Sequence, residues 1–172
     1  MYRCAALIIA LLFAGCSSSS TLPAGNIQAT GALGAASGPF SAAYSGSHGL
    51  TTCGPLHSHG GAFSFSGKGT ATFFHHSLET GHMSAPSGVC SWSGSATLKS
   101  KLHPANTITV SLALQRPNRS PNNPCQTQGL DIHWAVTAGT GKFANGTGSG
   151  TLKFTCQSNG SYADAWTGTL AF

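Results

Sequence analysis

Histidine is the residue type most able to do chemistry in this chain. Six of the eight histidines fall in one stretch: His48, His57, His59, His75, His76 and His82. His57-x-His59 would put two imidazoles on the same side of an extended strand, a spacing that can chelate a metal, and His75-His76 follows an apolar run. These four are the candidate ligands for zinc or copper. The competing reading is that histidine serves as a soft polar residue in a chain short of charge. There is no H-E-x-x-H motif, and the nearest carboxylate is Glu79. Carboxylates are scarce, only Glu79, Asp131 and Asp164. Glycoside hydrolysis needs two carboxyls placed across a bond, and three acids this far apart in sequence are not expected to supply them. Gly46-Ser47-His48-Gly49 sets its serine directly after the glycine, so it is not a G-x-S-x-G elbow. No catalytic residue is assigned, and the expectation is a protein without enzymatic activity and with no cofactor beyond that metal.

The cysteines divide by position. Tyr2 and Arg3 precede an unbroken apolar stretch from Cys4 to Ala14, too short for a spanning helix but suited to the h-region of an export signal. It ends in Phe13-Ala14-Gly15-Cys16, followed by four serines. This tetrapeptide resembles the lipobox of bacterial lipoproteins, in which the cysteine is acylated and becomes the new N-terminus. Leu is usual where Phe13 stands. The resemblance implies cleavage before Cys16, lipid on Cys16 as the membrane anchor and, with Ser17 next, outer-membrane sorting in a Gram-negative cell. An ordinary cleaved signal, with Cys16 incidental, is the alternative. Past the anchor, Cys53, Cys90, Cys125 and Cys156 remain, an even number that in an oxidising compartment implies two disulfides with three connectivities open.

The formal net charge is +5. The basic residues are dispersed, with none of the dense basic stripe and interleaved aromatics that nucleic-acid binding uses. Residues 16–37 are small and flexible in composition, an anchor and tether. From residue 38 to 172 the chain reads as one domain of short runs with period two. Ile108, Val110, Leu112 and Leu114 alternate with Thr107, Thr109, Ser111 and Ala113. Leu130, Ile132, Trp134 and Val136 alternate with Asp131, His133, Ala135 and Thr137, and Leu152, Phe154 and Cys156 with Thr151, Lys153 and Thr155. This is the pattern of half-buried antiparallel strands. Strand entries built from glycine, small residues, threonine and an apolar residue recur at Gly67–Phe73, Gly94–Leu98, Gly148–Leu152 and Gly168–Leu170. They suggest a small up-and-down barrel of about eight strands, with a sandwich as second choice. The aromatic core candidates are Phe63, Phe65, Phe73, Trp92, Trp134, Phe143, Phe154, Trp166 and Phe172.

The segment Ala138-Gly139-Thr140-Gly141-Lys142-Phe143-Ala144-Asn145-Gly146-Thr147-Gly148-Ser149-Gly150 resembles the G-T-G-x-F-x-x-A-x-G motif of calycin-like β-barrels of the allene oxide cyclase and dirigent type. The resemblance covers roughly Trp134 to Phe172. Gly146 stands where that pattern has Ala, and the four cysteines are not a family feature. It implies a calycin-like barrel in which the glycines permit a tight reversal and the Phe plugs a barrel end. No catalytic position carries over, so a cyclase-like activity would rest on fold analogy alone. Pairing of Leu130–Thr137 with Ser149–Cys156 across this turn would bring Cys125 near the end occupied by Cys156. Their separation suits a bridge, which by elimination leaves Cys53 with Cys90. The expected protein is therefore an exported, lipid-anchored, disulfide-stapled barrel that is structural or holds a small apolar ligand. Periplasmic or surface metal binding through the histidines is the alternative.

Overall fold

The computed structural model describes residues 36–49, 61–86, 91–114, 130–157 and 159–172. They form eight strands: β1 (Ser37–His48), β2 (Gly61–Ala71), β3 (His75–Ala85), β4 (Trp92–Ser100), β5 (Thr107–Leu114), β6 (Leu130–Thr140), β7 (Thr147–Cys156) and β8 (Ser161–Ala171). Each strand pairs antiparallel with its neighbour in sequence, and β8 pairs back onto β1 from Ser37↔Ala171 to Ser47↔Ser161. The result is a closed up-and-down barrel, the architecture that removes sheet edges altogether.

Period-two alternation decides which side chains enter the barrel. On β5, Ile108, Val110, Leu112 and Leu114 are buried, and on β6 so are Leu130, Ile132 and Trp134. The alternation slips once, at a bulge between Thr109 and Val110 that leaves Thr137 unpaired opposite them. Inward positions of the other strands contribute Phe40, Tyr44, Phe63, Phe65, Met83, Trp92, Leu98, Leu152, Phe154, Tyr162, Trp166 and Leu170 to one continuous core. Phe40, Phe74 and the two tyrosines join the aromatic residues expected from sequence, whereas Phe73 and Phe172 are only partly buried.

The outward positions carry Ser, Thr, Ala, Lys and His. Hydroxyls pair across neighbouring strands, as in Thr97–Thr109 at 3.2 Å, Thr151–Thr167 at 3.1 Å and Thr107–Thr140 at 2.7 Å. Only Leu78 and Leu102 are exposed large hydrophobic residues among those described. This is the reverse of a bilayer-spanning barrel, whose outer face carries a tall apolar band. No described helix is long and apolar enough to cross a membrane.

The two ends differ. One carries the short reversals β2–β3, β4–β5 and β6–β7, together with Ala36 and Phe172; it is called here the turn end. At β6–β7 a single 3₁₀ turn, Gly141–Phe143, folds Phe143 under the barrel, where it is fully buried. Gly141 has φ 61°, and a β-carbon there would collide with Asn106 Oδ1 and sit 2.8 Å from the Ala105 carbonyl oxygen, so a side chain is excluded on both counts. Phe143 stacks on Phe74 with ring centroids 4.4 Å apart and meets the Phe172 ring edge-on at 4.6 Å. Lys142 lies over the Phe143 and Phe172 rings and donates to the Phe73 carbonyl at 2.9 Å.

If Phe143 is the plug, Phe143→Ala should destabilise the barrel by about 3–5 kcal/mol, the range for a fully buried aromatic. Phe172→Ala, at a half-buried position, should cost distinctly less. Thermal unfolding of the two variants ranks them, and equal losses would deny Phe143 that role.

Candidate functional site

The polar groups with unusual surroundings lie inside the barrel. Its buried polar residues are Ser77, Glu79, Ser100 and Asp164, and no described Lys, Arg or His is buried. Register explains how the first two and Asp164 meet. Along one row across the sheet, Tyr162 on β8 is opposite Gly46 on β1, which is opposite Gly67 on β2, which is opposite Glu79 on β3. The next row reads Asp164, Tyr44, Gly69, Ser77. Glycines thus occupy the positions between the large polar side chains. A β-carbon on Gly67 would collide with the Tyr162 hydroxyl and sit 2.8 Å from the Ser45 carbonyl oxygen. The missing side chains leave the space through which residues on β8 and β1 reach β3.

Through that space the Tyr162 hydroxyl donates to Glu79 Oε2 at 2.7 Å, joining residues 83 apart in sequence. Tyr44 and Ser77 hydroxyls are hydrogen-bonded at 2.8 Å, and the Tyr44 backbone N–H donates to Asp164 Oδ1 at 3.1 Å. Four described side-chain polar atoms, Glu79 Oε1, Asp164 Oδ2, Trp166 Nε1 and Trp92 Nε1, are buried without a hydrogen-bond partner inside 3.5 Å, the first three of them in this cluster. The surroundings are aromatic: Tyr162 stacks on Phe154 at 4.9 Å and meets Phe65 edge-on at 5.8 Å, and Trp134 lies 5.8 Å from Trp166.

Two carboxyls in such a volume cannot both be charged cheaply. Burial first, and then the nearby negative charge of Asp164, push Glu79 from its ordinary 4.5 up to about 9 against the opposing Tyr162 hydrogen bond. Burial also lifts Asp164 from 3.8 to about 6, opposed by the nearby Glu79 carboxyl and Trp166 N–H and by the Tyr44 backbone N–H. At neutral pH Glu79 therefore holds its proton and Asp164 carries the charge. Desolvation raises both Tyr44 and Tyr162, so their phenols stay neutral. Such a pair can hold and share a proton. Both groups are buried, Glu79 at 0 % and Asp164 at 5 % exposure.

The pair joins two acids that are 85 residues apart in sequence. Closure of β8 onto β1 brings Asp164 within reach of β3, which no spacing along the chain reveals. Of the four sequence-derived ligand residues, His75 and His76 are described. His75 and His76 are exposed at the start of β3, and His75 takes a left-handed backbone, φ 53°, at the reversal. His48 ends β1 at the opposite end of the barrel, half-buried and 3.4 Å from the Gln157 carbonyl. Antiparallel strands that span the barrel thus separate histidines that lie close in sequence. Among the described residues no three His, Cys, Asp or Glu side chains are placed to hold a metal ion. His57 and His59 lie outside the described residues, as do Cys16, Cys53, Cys90 and Cys125. Cys156, half-buried at the end of β7, is disulfide-bonded. Comparison with known proteins found no matching family model, curated sequence or solved structure.

Retention of a proton by the folded state sets the sign of a pH effect. Below about pH 4 both states are protonated and the pair contributes fully to stability. As pH rises from the ordinary 4.5 to about 9, the unfolded chain releases the Glu79 proton while the folded chain keeps it. Stability then falls, by about 1.4 kcal/mol per pH unit for each proton retained. Asp164 adds to the fall between 3.8 and about 6. Unfolding midpoints should decline from pH 5 to about pH 9, and Glu79→Gln should flatten the decline above about pH 6. A midpoint that holds steady or rises over that range would contradict the assignment.

Proposed function

We propose that this chain is a bacterial lipoprotein, anchored by lipid on Cys16, whose calycin-like barrel is a non-catalytic structural module held at the membrane surface, in a Gram-negative cell the outer membrane. The observation that carries the non-catalytic, structural part is the interior itself. Inward positions on all eight strands bear buried side chains, with rings in contact at one end (Trp92 with Phe63), between Trp134, Phe40 and Trp166, and at the other end (Phe143 with Phe74). A small barrel either fills its interior with side chains or holds one small ligand, and this filling supports the first. The buried carboxyls fit the same reading, because they are neutralised within the core.

Three further features support export and anchoring. Cys156 is disulfide-bonded, as befits an oxidising compartment. The hydroxyl-covered outer face suits a barrel tethered beside a bilayer rather than embedded in it. The position of Phe143 as an end plug agrees with the part that the calycin-like motif gives to its phenylalanine.

In cells fed labelled palmitate, the protein should incorporate label, and globomycin should accumulate the uncleaved form. Cys16→Ala should abolish both and release the protein from membranes under a high-salt wash. A Cys16→Ala protein that resists that wash, or a native protein without label, would overturn the lipid anchor.

A further inference from the structure

The chain contains three acidic residues, and the fold removes two of them from its surface. Glu79 and Asp164 are buried in the barrel, leaving Asp131 as the single exposed carboxylate side chain. Asp131 stands near the start of β6, away from the turn end, and is directly opposite Lys153 on β7. The turn end therefore carries basic side chains with no acidic one among them: Lys101 and Lys142 are exposed there, beside His75, His76 and His103. Leu102, between Lys101 and His103, is 62 % exposed, the most exposed large hydrophobic residue described.

These groups belong to one connected surface. The Lys101 N–H donates to the His76 carbonyl at 2.9 Å, tying the β4–β5 turn to the start of β3. The Lys142 N–H donates to Asn106 Oδ1 at 3.1 Å, and Lys142 Nζ reaches the Phe73 carbonyl, tying the β6–β7 turn to both other reversals. Ala36 joins the same end, where its carbonyl accepts from the Phe172 N–H at 2.8 Å. The chain thus enters the barrel at its basic, leucine-tipped end.

We propose that the turn end is a membrane-apposed surface: Lys101 and Lys142 contact anionic lipid headgroups while Leu102 enters the interface. The occupant is argued from charge complementarity, from an apolar tip flanked by cations, and from the entry of the chain at Ala36, about twenty residues after Cys16. Juxtamembrane basic residues are attracted to anionic leaflets over about a Debye length. A short tether raises the local concentration of that surface at the bilayer, so few charges suffice. The direction in which the barrel faces rests on the lipid-anchor reading, and the experiment is arranged to separate the two.

The full chain carrying Cys16→Ser, which cannot be acylated there, is mixed with vesicles of phosphatidylcholine alone or with an equal part of phosphatidylglycerol, and co-sedimentation is followed across salt concentration. Binding should appear with phosphatidylglycerol only and fade as salt rises. Lys101→Gln with Lys142→Gln should lower it about thirtyfold, the effect of two lysines at an anionic surface. Because Lys142 also packs on Phe143, the single variants Lys101→Gln and Leu102→Ser are measured too; each should weaken binding with the β circular-dichroism spectrum unchanged. Lys153→Gln should leave binding as it was. Equal binding to both vesicle types, indifference to Lys101→Gln and Leu102→Ser, or retention on dextran sulfate without vesicle binding would overturn the surface. None of these outcomes bears on palmitate labelling, which tests the anchor alone.

Discussion

A carboxyl buried among aromatic rings is the constraint around which this barrel is arranged. Glu79 points into a volume closed by the β8–β1 pairing, where no buried cation is available among the described residues. Charging it there would cost several kcal/mol, so the group keeps its proton and the Tyr162 hydroxyl donates to its other oxygen. The contact is possible only because Gly46 and Gly67 lie between the two side chains in register. The second row, with Gly69 between Tyr44 and Ser77, repeats the device one step along. Glycine between the polar side chains of each row, two in the first and one in the second, is what lets eight strands enclose a polar cluster and still pack.

The same burial shapes the outside. Withdrawing Glu79 and Asp164 leaves a hydroxyl surface with dispersed lysines and one exposed acid, so the net field is positive although the chain has few charges. Interior chemistry and exterior charge are two consequences of one placement. With both carboxyls buried, the polar groups that face outward are those on the barrel's surface and at its ends.

Much of the fold was legible because it obeys period two. The β5, β6 and β7 alternations give the correct inward face, and the Gly-Thr-Gly-x-Phe segment marks both a reversal and the residue that plugs it. The two acids were legible in part. Asp164 shares its parity with Tyr162, Trp166 and Leu170, and Glu79 shares its parity with Met83 and Ala85, so each stands on an inward position. What misleads is Leu78, apolar yet outward and 40 % exposed. That the two carboxyls meet depends on closure between the first and last strands, a long-range pairing that no local window contains. Closeness in sequence is likewise a poor guide to the histidines that are described, since long antiparallel strands carry His48 and His75 to opposite ends.

The most direct measurement is a titration of the Glu79 side-chain carboxyl by carbon-13 NMR on the native protein, with Glu79→Gln assigning the resonance. The carboxyl should remain protonated through neutral pH and titrate only near pH 9. A resonance that titrates near its ordinary 4.5 would contradict the account, because it would mean that solvent or a cation reaches Glu79 and that the interior is not the sealed core described.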